Sequence, residues 1–205
     1  MKSPRLVVAA AAAVLLASLG AAWVLVATQQ RGQVRVWFDA RPVECLDGAV
    51  TVEDRGIHSD PVDVHVIDAA PELNCWLRVH VEHRGWLAAS VHGLELPMHG
   101  PRTGGGIRAS ELAPLAILPE AEEVTGERVL DAVYRFDYPL EPGAGLELRL
   151  GLDFQPDGCM SPDARSWVTD APAVEVSVLA LRGTRTPTGV AFAQRGTQAS
   201  SCDER

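Results

Sequence analysis

Cys75-Trp76-Leu77-Arg78-Val79-His80-Val81-Glu82-His83 is the stretch that decides the fold class. Leu77, Val79 and Val81 alternate with Arg78, His80 and Glu82, and a period of two puts the first set on one face of a strand and the second set on the other. A helix would scatter the same residues around its circumference. The pattern recurs upstream in Pro61–Asp68 (PVDVHVID), where Val62, Val64 and Val66 share a face and Asp63, His65 and Asp68 are the polar partners. The segment between the two, Ala69 to Asn74 with one proline, suits a hairpin-like return.

Working outward, Val34, Val36 and Phe38 alternate with Arg35, Trp37 and Asp39, and Ala49–Glu53 reads as a further short strand after turns at Arg41-Pro42 and Asp47-Gly48. Strands are also expected over Trp86–Leu96, Arg128–Tyr138, Leu146–Phe154, Ala173–Arg182 and Val190–Ala193. Between them His99–Gly106 reads as a flexible loop and Gln155–Asp163 as a loop carrying Cys159. Ser110–Thr125 has no legible period, because Pro114 and Pro119 interrupt it and Glu120, Glu122 and Glu123 form an acidic run. Eight or nine short strands with frequent turns predict an all-β fold, two antiparallel sheets packed as a sandwich. Long amphipathic helices are missing, which disfavours a doubly wound α/β enzyme. The chain beyond Ala27 exceeds the ~100 residues of an immunoglobulin domain, and the surplus sits in Gly93–Glu127.

At the N-terminus, Leu6–Ala27 (LVVAAAAAVLLASLGAAWVLVA) carries no charge. As a helix rising 1.5 Å per residue it is about 33 Å long, enough for a ~30 Å hydrocarbon core. Lys2 and Arg5 precede it, so the positive-inside rule keeps residues 1–5 cytoplasmic and exports everything after Ala27. A cleaved signal peptide followed by secretion is the alternative, but its apolar region is normally ~7–15 residues, shorter than this one. The expected layout is a cytoplasmic n-region over 1–5, a transmembrane signal-anchor over 6–27, a polar stalk over 28–32, an extracytoplasmic sandwich over 33–195 and a polar tail over 196–205.

The chain has 205 residues and a formal net charge of −9. That balance repels phosphate backbones and disfavours nucleic-acid binding. Lys2 is the only lysine, so Schiff-base and P-loop chemistry have no candidate in the exported part. Cys45, Cys75, Cys159 and Cys202 include no C-x-x-C pair and no histidine at zinc spacing. In an oxidising compartment an even count of this kind reads as two disulfides. Three connectivities are open, and Cys45–Cys75 with Cys159–Cys202 is favoured because local pairing closes the least chain and ties down the tail.

Tyr138-Pro139-Leu140-Glu141-Pro142-Gly143 followed by Leu146–Phe154 resembles a passage of bacterial immunoglobulin-like domains, in which a Pro-Gly turn feeds the strand before a cysteine-bearing loop. The resemblance spans Tyr138–Phe154 and implies a sandwich used for binding or spacing, without catalytic residues to carry over.

All six histidines fall within His58–His99: His58, His65, His80, His83, His92 and His99. If Pro61–Asp68 and Cys75–His83 pair antiparallel, His65, His80 and Glu82 share an outward face, and two imidazoles with a carboxylate suit copper or zinc. Arg78 on that face argues against a cation, and a solvated face with cross-strand ion pairs is the plainer reading. No metal site and no cofactor is therefore assigned, with His65, His80 and Glu82 as the alternative. Hydrolase motifs G-x-S-x-G, H-E-x-x-H and S-x-x-K are absent, and Ser90, His92 and Asp68 form a triad only on paper. Gly104-Gly105-Gly106 lacks the Lys-Ser/Thr of a phosphate loop. Trp37, Trp76 and Trp86 offer a sugar-stacking platform, although packing is the commoner use of an indole.

The expected function is a non-catalytic, membrane-anchored binding module outside the cytoplasm. It would contact a protein or envelope polymer through a sheet face or the Gly93–Glu127 excursion. The alternative is an extracytoplasmic copper- or zinc-binding protein.

Overall fold

The computed structural model describes residues 4–46, 50–54, 63–117 and 130–202. His58, the turn at Asp47-Gly48, the residues Pro61 and Val62, the acidic run Glu120–Glu123, Arg128 and the ends of the chain lie outside the described residues. Helix α1 runs from Pro4 to Arg31, and Ala11–Arg31 is long and apolar enough to cross a membrane by length and composition. Leu15, Leu16, Leu19 and Leu25 on this helix are each at least 64% exposed, so the rest of the chain covers none of these side chains. The polar residues from Thr28 to Arg31, expected as a stalk, continue the helix. No breaker precedes Gly32, whose N–H donates to the Thr28 carbonyl at 3.0 Å.

Thirteen strands follow among the described residues: β1 Val34–Trp37, β2 Val43–Cys45, β3 Val50–Asp54, β4 Asp63–Ala69, β5 Asn74–His83, β6 Ala89–Leu96, β7 Ile107–Ala113, β8 Ala132–Leu140, β9 Gly145–Phe154, β10 Arg165–Thr169, β11 Ala173–Val178, β12 Leu181–Arg185 and β13 Val190–Gly196. They form three sheets instead of the expected two. The first has the order β1-β5-β9-β7, with β2 also on β5; the second is β10-β13-β4-β3; the third is β12-β11-β6-β8. Every pairing is antiparallel except β13 with β4. The edges β1 and β12 approach each other, as do β7 and β8, and β2 meets β3. The three sheets bury their apolar faces in one continuous core, the arrangement of a β-sandwich.

The alternation read in Cys75–His83 is the alternation seen. Leu77, Val79 and Val81 are buried, while Arg78, His80 and Glu82 remain partly exposed. Leu148, Leu150 and Leu152 of β9 are fully buried beside them. Each such leucine contributes about 1.5–3 kcal/mol by leaving water. The second and third sheets add Ile67, Phe192, Val91, Leu94, Tyr134 and Val176 to the same continuous core.

The hairpin expected between β4 and β5 does not form. β4 pairs with β3 and β13, and β5 pairs with β1, β2 and β9, so the two strands belong to different layers. The connecting residues cross between layers through a turn closed by Leu73 N–H on the Ala70 carbonyl at 2.9 Å. Ala173–Arg182 is not one strand either. It breaks at Leu179 and Ala180, whose φ values of 51° and 63° turn the chain so that Val178 pairs with Leu181. Strand β7 occupies a region with no legible period, and β2 and β10 are also additional.

The cysteines pair as Cys45–Cys75 and Cys159–Cys202. Cys45 and Cys75 are direct cross-strand partners in the β2–β5 ladder. Cys159–Cys202 ties the chain end to the loop after β9. That loop holds Gly104–Gly106 in place, with Cys159 N–H on Gly104 O at 2.8 Å and Gln155 N–H on Gly106 O at 3.0 Å. The expected flexible tip is therefore hydrogen-bonded on its far side.

Candidate functional site

Register places an indole, an imidazole and a carboxylate of the first sheet in one row. Trp37 of β1 is the cross-strand partner of His80 of β5, and His80 is in turn opposite Glu147 of β9. The Trp37 and His80 rings stack with centroids 4.3 Å apart and planes 17° apart. The His80 imidazole is held at Nε2 by Asp39 Oδ2 at 2.8 Å. A carboxylate at one edge and an indole on one face fix the imidazole in place. The Trp37 side chain remains 42% exposed.

Charged pairs border this row. Arg84 Nε donates to Glu82 Oε2 at 2.8 Å, and Arg149 Nε donates to Glu147 Oε1 at 2.8 Å. The hydrogen bond from Arg84 holds the Glu82 carboxyl below its ordinary range, and the bond from Arg149 does the same for Glu147. Both carboxylates are therefore ionised and oriented at neutral pH. Trp37 lies between two concavities. One, of about 430 Å³, is bordered by Arg35, Glu82, Arg84 and Arg185. The other, of about 310 Å³, is bordered by His80, Glu82 and Glu147. Trp37 and Glu82 line both, and the two concavities on either side of the indole, bordered by charged donors and acceptors, are the Trp37 groove.

A second constellation lies on the outer face of the third sheet. His92 Nδ1 hydrogen-bonds to Asp137 Oδ1, and His92 Nε2 lies 2.7 Å from Ser177 Oγ. Both ladders of β6 shift register at His92, which brings residues of three neighbouring strands together. The order of atoms is that of a Ser-His-Asp triad. Ser177 itself is buried, at 7% exposure. It pairs with Ser90 and Arg182 in the middle of the sheet. The adjoining cleft of about 320 Å³ is lined by His92, Asp137, Arg135, Phe136, Glu175 and Arg182, and Ser177 is not among its lining residues. The triad written from sequence as Ser90, His92 and Asp68 thus shares only its histidine with the observed one. Strand order and a bulge select the partners, and neither is visible in residue spacing.

The remaining histidines are scattered by the layer change. His65 does not join His80 and Glu82: it sits on β4 in the second sheet, on the core side with Ile67 and Ala69. Burial holds its pKa below 6.5. Asp68, on the opposite side of β4, is bound by Arg195 through Nε at 2.7 Å and Nη2 at 2.9 Å. His83 is buried and its Nε2 hydrogen-bonds to the Leu87 carbonyl. Among the described residues no group of three or more His, Cys, Asp or Glu side chains is placed to hold a metal ion. The three tryptophans also separate: Trp76 stands further along β5, and Trp86 lies on the β5–β6 loop beside α1.

No protein-family model matches the chain. No curated protein matches it. Among solved structures the chain is similar to the ASH/PapD-like domain of human CEP192 (PapD-like domain 7), at 13% sequence identity, over 73% of this chain and 84% of that one, with a TM-score of 0.30. A superposition that loose transfers neither fold detail nor function.

Proposed function

We propose that this protein is a membrane-anchored binding module of the extracytoplasmic space. In this reading it is an immunoglobulin-like sandwich of the bacterial kind that grips a saccharide segment of an envelope polymer through the Trp37 groove. The observation that carries the reading is the Trp37–His80 stack, an indole held rigid from one side and open on the other. A rigid aromatic face gives a large apolar contact at little entropic cost. Glu82, Glu147, Arg35 and Arg84 flank it with acceptors and donors suited to hydroxyls. The two disulfides fit an oxidising compartment. The uncovered α1 fits an anchor, and its last turn is built into the sandwich.

The test is sedimentation of the full chain, in detergent, with purified envelope polysaccharide. Trp37→Ala should weaken binding by at least ~30-fold, the effect of losing a central aromatic hot spot, while circular dichroism stays unchanged. Equal binding by Trp37→Ala and the parent chain overturns the groove.

A second reading is favoured by the Ser177–His92–Asp137 arrangement alone. Ser177 Oγ would attack an ester carbonyl, His92 Nε2 would take its proton and pass it to the leaving alcohol, and water would release the acyl group. Burial of Ser177 opposes this. A fluorophosphonate probe that labels the parent chain but not Ser177→Ala would establish hydrolysis and displace the non-catalytic reading.

A further inference from the structure

The end of α1 is part of the sandwich. Ala27 and Gln30 are buried, at 0% and 5% exposure. Gln30 Oε1 accepts the Trp86 N–H at 2.9 Å, Arg185 Nε donates to the Arg31 carbonyl at 3.1 Å, and the Arg31 guanidinium bonds the Arg182 carbonyl. These contacts fix the β5–β6 loop and strand β12, which follows directly on the Leu179-Ala180 turn, against the last helical turn. Gln30 lies about 10 Å along the helix beyond Trp23, at 1.5 Å per residue. If Trp23 marks the edge of the hydrocarbon, that height is the headgroup layer.

What is displayed at this height is unusual for a free surface. Trp86 is 67% exposed and Leu179 40% exposed. Leu179 and Ala180 both adopt left-handed backbone conformations, with φ of 51° and 63°. Asn-Gly is the usual choice for a two-residue turn of this kind. Both conformations are disfavoured for residues that carry a Cβ. The charge there is also reversed. In a chain of net charge −9, Arg31, Arg84, Arg182 and Arg185 gather around the helix end. Arg84 is paired with Glu82 and Arg182 with Glu175. Arg31 and Arg185 hydrogen-bond to carbonyl oxygens, which leaves their charge in place.

We propose that the base of the sandwich is a second membrane contact, distinct from the span itself. Trp86 and Leu179 seat in the headgroup layer, and Arg31, whose charge no carboxylate among the described residues offsets, binds the phosphates of anionic phospholipid. An amphipathic indole and an arginine suit that layer. The inference rests on α1 being a retained anchor. Its consequence is a fixed domain orientation, with the Trp37 groove held about 10 Å above the bilayer surface, three residues along β1 at ~3.3 Å each. The partner must then present its binding segment close to the membrane.

The experiment reconstitutes the full chain in vesicles of phosphatidylcholine, with and without about one third phosphatidylglycerol. Tryptophan quenching is read with spin labels placed on the headgroup or deep in the acyl chain. Headgroup-label quenching should fall in Trp86→Phe and persist in Trp23→Phe. Its enhancement by phosphatidylglycerol should be lost in Arg31→Gln. Alkaline extraction separates the two levels of the argument. A chain that is extracted has no anchor, and both readings fail. A chain that resists extraction while Trp86→Phe leaves headgroup quenching unchanged refutes the seating alone, and a second copy of the chain on that surface would then show as cross-linked dimer.

Discussion

His99 gives the sharpest handle on stability. Its side chain is 2% exposed, set edge-on to Phe192 with ring centroids 5.6 Å apart. Nδ1 donates to the Pro97 carbonyl at 2.7 Å. Nε2 is buried without a hydrogen-bond partner among the described residues. Protonation would place a charge there, so burial holds the pKa below 6.5 against the opposing pull of the Pro97 carbonyl and Asp131. The unfolded chain takes up this proton near pH 6.5 and the folded chain does not. Stability from the neutral ring is therefore complete above that pH and declines as pH falls toward the folded pKa. Between about pH 6.5 and 5.5 the loss is at most RT ln(11/2), about 1 kcal/mol, the limit in which the folded ring takes up no proton. His99→Gln keeps a donor for Pro97 but cannot titrate. Urea unfolding of the full chain in detergent, followed by circular dichroism across this pH range, should show the parent losing more stability than His99→Gln, by up to about 1 kcal/mol. Parallel stability curves for the two chains would refute the reasoning, because they would mean that His99 protonates equally well in both states.

Other perturbations have expected outcomes of defined size. Replacing Cys159 and Cys202 by serine frees a loop of sequence separation 43 and should cost about 4 kcal/mol on the chain-entropy estimate, read as a shift in the urea midpoint. Tyr134 is fully buried with its hydroxyl unpartnered among the described residues, and burial pushes that hydroxyl well above its ordinary pKa. Tyr134→Phe should therefore stabilise the fold by about 1 kcal/mol, and a destabilisation of that size would mean the hydroxyl has a partner. Ala180→Gly should raise stability by about 1 kcal/mol in detergent, since glycine relieves the left-handed backbone at φ 63°.

The groove was half legible from sequence. Trp37, His80 and Glu82 stand at alternate, outward positions of strands that alternation alone identifies. The joining of β1 to β5, which stacks Trp37 on His80, depends on pairing across a separation that no local pattern encodes. The turn at Leu179-Ala180 was hidden because neither residue is a turn former. β7 was hidden because its bulge breaks the period between Ala109 and Leu112.

By itself the sequence determined the strand character of the chain after the helix, the apolar run at the N-terminus, and the inward leucines and valines of β5 and β9, and it favoured the pairing of the cysteines nearest in the chain. These follow from short-range periodicity, residue type and loop length. Only the tertiary structure decided that β4 leaves β5 for the opposite layer, that His65 is therefore parted from His80, that His92 meets Ser177 and Asp137, and that the helix end is built into the base of the sandwich. The physical reason is that a strand carries its inward and outward faces in its own residues, whereas its neighbours are selected by how all the apolar faces can be buried at once.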